Sequence, residues 1–361
     1  MDHEQPRDPQ NLDRRDFLRL GTTAGAGLLT GALATGARAT GAPATRAGAA
    51  LPPLPANPRT PADMPTRNLG RTGYRTGIFS LGGQAAIEQP DNAAVAVPIV
   101  ERALDLGVNY VDTAASYGGP QRWSQRYIGQ VMKRRRKEAF LTSKTNDRTR
   151  DGSLHLLDES LRLLNTDHLD LWQVHNLSRL EQVDEIFAPG GAMAALQQAR
   201  EQKIVRFLGV TGHADPEVLT EAIRRFDFDT LLLALNAADP HRLSFAESLL
   251  PQAVEKQMGI IGMKIPARGR ILESWTPPPL SQQRKIERPA RPGTLTMREA
   301  LHYVLSLPVS TVIVGCDSVA QLEENVALAR EFTPLSASQM SALTARTEPV
   351  AKQSLFVRRW L

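Results

Sequence analysis

Val108-Asn109-Tyr110-Val111-Asp112-Thr113-Ala114-Ala115-Ser116-Tyr117-Gly118-Gly119 opens as a short apolar run of strand type and then changes character. An acid, Asp112, stands where the strand ends. A glycine-bounded loop then carries a phenol, Tyr117. A carboxylate at the end of a buried strand, with a phenol in the loop beyond, points to the mouth of a catalytic site rather than to a core. Upstream, Val97, Ile99, Val100, Ala103 and Leu104 recur at helical spacing until Gly107 stops the helix. The stretch is therefore the strand of one strand-and-helix unit.

The same alternation extends in both directions. Apolar strands are expected at 78–81, 108–111, 140–143, 169–174, 207–210, 231–235, 260–263 and 311–314. Helices are expected at 93–106, 121–133, 153–164, 193–202, 216–226, 245–256, 296–305 and 319–330. Eight such units, with no composition break between them, argue for one α/β domain over residues 64–361, a closed (β/α)8 TIM barrel. Gly70 and Gly73, at turn spacing, suggest an N-terminal β-hairpin before the first buried strand. An open doubly wound sheet is the alternative. Its usual G-x-G-x-x-G pattern is absent, since Gly82-Gly83-Gln84 follows the first strand. Residues 176–192, 265–295 and the tail 349–361 read as loops in which substrate specificity would lie. The tail would cover the mouth or pack outside the barrel.

Composition excludes several classes. The 361-residue chain is 42% hydrophobic, enough to fill a large core, and its net charge of +5 is too mild to argue for nucleic acid. The densest basic run, Lys133 to Lys137, reads as a solvated helix C-terminus. A single cysteine, Cys316, excludes an intrachain disulfide. His175, His213 and His241 follow three successive strands, but no H-x-H pattern or bridging carboxylate accompanies them, which disfavours a metal-dependent hydrolase.

The first residues read as an address. Arg14-Arg15 and Phe17-Leu18 precede a mildly apolar run from Leu20 to Ala34, and Ala37-Arg38-Ala39 makes an A-x-A cleavage pattern. Residues 1–39 thus resemble a twin-arginine (Tat) signal peptide, and 40–63 an Ala/Pro-rich linker. Signal and linker are expected to be disordered. Export by the Tat machinery to the periplasm or outside the cell follows, with anchoring by an uncleaved signal as the variant. No stable membrane span is expected in the mature protein.

In a (β/α)8 barrel, catalytic groups gather at the carboxyl ends of the strands. Asp112, Lys144 and His175 end three consecutive expected strands, and Tyr117 lies just beyond the first of them. A free phenol, with its pKa of ~10, is a poor acid at neutral pH, and a nearby ammonium lowers that value. Lys144 would supply the charge, Asp112 would hold Lys144, and His175 would donate a hydrogen bond to a carbonyl oxygen. Tyr117 then becomes a general acid, or a base in reverse.

The chain resembles the aldo/keto reductases over roughly residues 66–345. The motifs that carry the resemblance are Arg67-Asn68-Leu69-Gly70-Arg71-Thr72-Gly73, the stretch Gly107 to Gly118, the strand ending at Lys144, Leu171-Trp172-Gln173-Val174-His175, and Gln321-Leu322-Glu323-Glu324-Asn325. It implies an NAD(P)-dependent oxidoreductase that reduces an aldehyde or ketone, or oxidises the alcohol. It places the family's catalytic Asp, Tyr, Lys and His on Asp112, Tyr117, Lys144 and His175. A slow, cofactor-binding redox-sensing regulatory subunit on the same barrel is the alternative.

For the cofactor, NADP(H) is implied, with NAD(H) left open. The family's Ser-Asn pair is replaced by Thr211-Gly212-His213, leaving Thr211 as the replacement and His213 nearby. The family's stacking aromatic is replaced by Leu235-Asn236, leaving Asn236 for the carboxamide. Lys264 and Arg268 would reach the pyrophosphate. Gly315, Cys316 and the start of the last helix would take an anion. Glu324 and Asn325 match adenine contacts. Gln321 stands where many members carry an arginine for the 2′-phosphate, and Asp317 adds a negative charge beside it, so a reduced preference for NADPH is expected.

Overall fold

The computed structural model describes residues 50–283 and 288–360. The twin-arginine motif and the cleavage pattern lie outside the described residues. Among the described residues no helix is long and apolar enough to cross a membrane.

The hairpin forms from β1 (Thr66–Asn68) and β2 (Arg75–Gly77), paired antiparallel with Thr66 opposite Gly77. Its turn places Gly70 at φ +53°, and a Cβ there would lie 2.2 Å from the backbone N of Gly259, so only glycine fits. Behind it come eight parallel strands: β3 (Phe79–Gly82), β4 (Tyr110–Asp112), β5 (Phe140–Thr145), β6 (Leu169–Leu177), β7 (Val205–Gly212), β8 (Thr230–Ala234), β9 (Gly259–Met263) and β10 (Thr311–Val314). They run in chain order, and β10 closes the barrel on β3 with Val312 opposite Phe79. The expected TIM barrel with its hairpin is what forms.

Each strand buries both faces, which is why each reads as a continuous apolar run. Outward residues pack against helices α1 (Ala93–Asp105), α2 (Trp123–Arg135), α3 (Arg150–Leu163), α4 (Leu180–Phe187), α5 (Ala192–Glu201), α6 (Pro216–Arg225), α7 (Phe245–Ser248), α8 (Leu250–Glu255), α9 (Met297–Leu305) and α10 (Val319–Arg330). Inward residues fill the barrel: Tyr110, Phe140, Leu171, Leu232 and Ile261 form a separate core with Leu69 and Tyr74 of the hairpin. The Tyr74 ring stacks on Phe140 at 4.5 Å, and its hydroxyl donates to the Asn109 carbonyl at 2.6 Å. The hairpin thus plugs the amino-terminal end, and the opposite end remains for chemistry.

Several elements differ from expectation. β4 includes Asp112 as its last residue rather than stopping before it. The helix expected at 245–256 divides into α7 and α8, with Pro251 in the first turn of α8. Residues 176–192 contain α4, whose buried face is only Val183 and Ile186. The C-terminal region adds α11 (Ala337–Thr347) and α12 (Ala351–Ser354), and the tail then crosses the carboxyl-end rim. There Arg358 donates to the His213 and Ala234 carbonyls and pairs with buried Asp239.

Candidate active site

Four residues anticipated from sequence meet at the carboxyl-end rim. Lys144, near the end of β5, is 1% exposed, and its Nζ donates to Asp112 Oδ2 at 2.6 Å and to the Thr113 carbonyl at 2.9 Å. The third direction of the ammonium faces Tyr117, with Nζ 3.5 Å from the hydroxyl and 4.9 Å from the ring centroid. Thr142 Oγ1 donates to the other oxygen of Asp112 at 2.9 Å. Each carboxylate oxygen therefore has its own donor, as a buried charge requires. His175, within β6, meets the Tyr117 ring edge-on, with centroids 5.7 Å apart and planes at 77°. Its Nδ1 lies 3.4 Å from Ser116 Oγ.

Burial sets the protonation states. It pushes the Tyr117 phenol well above its ordinary value near 10, and the Asp112 and Glu88 carboxylates push the same way against Arg268. The lowering expected from Lys144 is therefore not the dominant influence; burial is. Burial also lowers Lys144, opposed by Asp112. His175 is held well below 6.5 by burial and by the cations Lys144, Arg148 and Lys264. At neutral pH the site thus presents a protonated phenol and a neutral imidazole.

A cavity of about 570 Å³ opens beside this cluster. Asp112 and Tyr117 line it, together with Gly315, Asp317, Gln321, Glu324 and Asn325 from the segment after β10. Lys264 and Arg268, after β9, supply its cations. Lys264 Nζ donates to Gln84 Oε1 at 2.7 Å, and Gln84 Nε2 lies 3.2 Å from a Glu88 carboxylate oxygen, so a polar bridge joins the loops after β9 and β3. Burial and Arg268 bring Lys264 down to about 8. Ser318 caps α10 by accepting from the Gln321 amide at 3.1 Å, and the Gln321 side chain accepts from the Asp317 amide at 2.6 Å.

Three anticipated cofactor residues are not among those lining the cavity. Thr211 Oγ1 accepts from the Asn176 amide at 2.7 Å. The Asn236 side chain donates to Ser354 and accepts from the Ala238 amide, bracing the tail and its own loop. Cys316 is fully buried, its Sγ 3.6 Å from Asn325 Nδ2, and burial pushes its thiol up to about 12. Gln84, Glu88 and Met297 line the cavity without having been anticipated as site residues, and Trp275, within the 265–295 loop expected to set specificity, lines it too. For Gln84 the signal was available, since it stands two residues past the end of the first barrel strand.

The donor set suits a dinucleotide. The volume lies in the range of small-molecule and cofactor pockets. Its lining combines two cations, Lys264 and Arg268, with the Tyr117 phenol, the amides of Gln321 and Asn325 and the Glu324 carboxylate. Among the described residues, no group of three His, Cys, Asp or Glu side chains is arranged to hold a metal ion.

Comparison with known proteins points the same way. A model of the Aldo/keto reductase family matches residues 76–348. The chain is similar to the uncharacterized oxidoreductase YqkF of Bacillus subtilis, at 24% identity over 314 residues, covering 79% of this chain and 97% of that protein. It is also similar to L-galactose dehydrogenase of Arabidopsis thaliana, at 28% identity over 307 residues, covering 79% and 94%. The solved holo form of aldo-keto reductase AKR11C1 from Bacillus halodurans shares the fold, with a TM-score of 0.64 at 23% identity, covering 79% and 97%.

Proposed function

The chain belongs to the aldo/keto reductase family, and from that premise we propose that it is an NAD(P)H-dependent enzyme that reduces an aldehyde or ketone to an alcohol, or runs the reverse. The observation that carries the reading is Lys144 Nζ standing between the Asp112 carboxylate and the Tyr117 hydroxyl, both of which line the cavity. When bound, the reduced nicotinamide supplies a hydride to the carbonyl carbon. Tyr117 gives its proton to the carbonyl oxygen, and neutral His175 donates a hydrogen bond to the same oxygen. The Lys144 ammonium stabilises the phenolate left behind, and Asp112 keeps that ammonium in place. Lys264 and Arg268 hold the phosphates, while Glu324 and Asn325 face the adenine end. With Gln321 and Asp317 in place of a cation at that end, the enzyme takes NADH as well as NADPH.

The test is turnover of a general aldehyde, such as 4-nitrobenzaldehyde, with each cofactor. Alcohol formed in equal amount to cofactor consumed supports the reading. Tight cofactor binding without turnover would replace it with a redox-sensing subunit.

Export by the twin-arginine route is part of the proposal and rests on Arg14-Arg15 and the segment after them. Fusing residues 1–50 to a reporter tests it. Substituting both arginines by lysine should retain the reporter in the cytoplasm; unchanged export would contradict that route.

A further inference from the structure

β6 is irregular where it carries His175. Its pairing with β7 shifts register between Val174 and Leu177, and Asn176 takes a left-handed φ of +54°. Such a bulge re-aims a side chain and removes ladder partners from nearby carbonyls. One group meets both carbonyls here. Arg148 Nη2 donates to the His175 oxygen at 2.8 Å and to the Asn176 oxygen at 3.1 Å. The Asn176 amide is held from the other side by Thr211 Oγ1 at 2.7 Å. Arg148 is itself presented from an anchored loop. Its carbonyl accepts from the Ala192 amide at 2.8 Å, and neighbouring Asp147 accepts from Thr149. Arg148 Nε and Nη1 are buried and make no hydrogen bond to the described residues, so the bonding of this guanidinium is concentrated on the two carbonyls.

We propose that Arg148 is a positioning residue for His175: it satisfies the carbonyls freed at the β6 irregularity and fixes the imidazole against Tyr117. The inference rests on the proposed role of His175. The guanidinium also adds to the cations that face the ring, with Lys144 from β5 and Lys264 from the loop after β9, while His213 stands nearby after β7. Arg148 therefore influences both where the imidazole points and which protonation state it holds.

The experiment compares Arg148→Met, Arg148→Lys and His175→Ala in the full chain. It reads kcat and KM for aldehyde reduction, together with the pH titration of the His175 ring protons by NMR. Arg148→Met should lower kcat about 10- to 100-fold, as a small misplacement of a reacting group does. It should leave the cofactor KM within about twofold and move the His175 titration upward. Arg148→Lys, which keeps the charge and a donor, should recover most of both readouts. If Arg148→Met is insoluble, Arg148→Gln, which loses the charge, should still move the titration upward. Wild-type kcat and an unmoved His175 titration in Arg148→Met, or in Arg148→Gln where that variant replaces it, would overturn the inference. Full activity in His175→Ala would instead overturn the catalytic reading of His175, and the NMR result separates the two failures.

Discussion

Lys144 Nζ lies 2.6 Å from Asp112 Oδ2, and both side chains are 1% exposed. A buried pair of this kind costs desolvation and is a weak source of net stability, but breaking it from one side is expensive. Asp112→Ala should therefore destabilise the protein by about 3–5 kcal/mol. Adding Lys144→Met should recover part of that loss by removing the stranded ammonium. Urea unfolding of the two single variants and the double variant measures it. Additive losses would mean that the pair does not interact as the geometry indicates.

As the proposed holder of the cofactor phosphates, Lys264 should set a pH limit on cofactor binding. Its ammonium titrates at about 8, lowered from the ordinary lysine value by burial and Arg268. Below that pH the charge is present, and above it the charge is lost. The dissociation constant of NADPH should therefore rise as pH passes through 8, and the step should vanish in Lys264→Met. Fluorescence titration of the cofactor at a series of pH values checks it. A pH-independent constant in the wild type would remove Lys264 from the phosphate site.

The Tyr117 phenol gives a second pH signature. Burial raises it, so it stays protonated and the acid form is fully populated through neutral pH. Reduction should be flat between pH 6 and about 8, whereas alcohol oxidation, which needs the phenolate, should climb on the alkaline side. Rates measured in both directions under saturating cofactor test this. An oxidation rate that falls with rising pH would contradict it.

Gln321 lines the cavity and accepts from the Asp317 amide, and Asp317 lines it too. In the proposed cofactor placement, Gln321→Arg would put a guanidinium beside the 2′-position. NADPH affinity should improve by about tenfold, the worth of one modest charge-assisted contact, with little change for NADH. Equal changes for both cofactors would show that residue 321 does not meet the 2′-position.

The barrel and its four rim residues were legible because each is local. A strand buried on both faces is a continuous apolar run, and Asp112, Lys144 and His175 interrupt or end such runs. What escaped depends on contacts far apart in sequence. The Lys264–Gln84 bond joins positions 180 residues apart, and Asn236 is bonded to Ser354 rather than lining the cavity. Arg358, in a tail with no periodicity, finds its buried partner in Asp239. α4 and α11 were missed because they bury so little: Val183 and Ile186 in one, Leu343 and Thr347 in the other. The Asp112–Lys144 pair is as expected, but the expectation of a lowered Tyr117 phenol left out burial, which raises it and decides the direction.

The most direct measurement is Tyr117→Phe against the wild type, reading kcat for aldehyde reduction and the cofactor dissociation constant together. The Tyr117 hydroxyl lies 3.5 Å from Lys144 Nζ, so its removal should leave the fold and the cofactor affinity intact. The account predicts a loss in kcat of about 10²- to 10⁴-fold, the usual worth of a positioned proton donor. A Tyr117→Phe enzyme that reduces the aldehyde at the wild-type rate would contradict it.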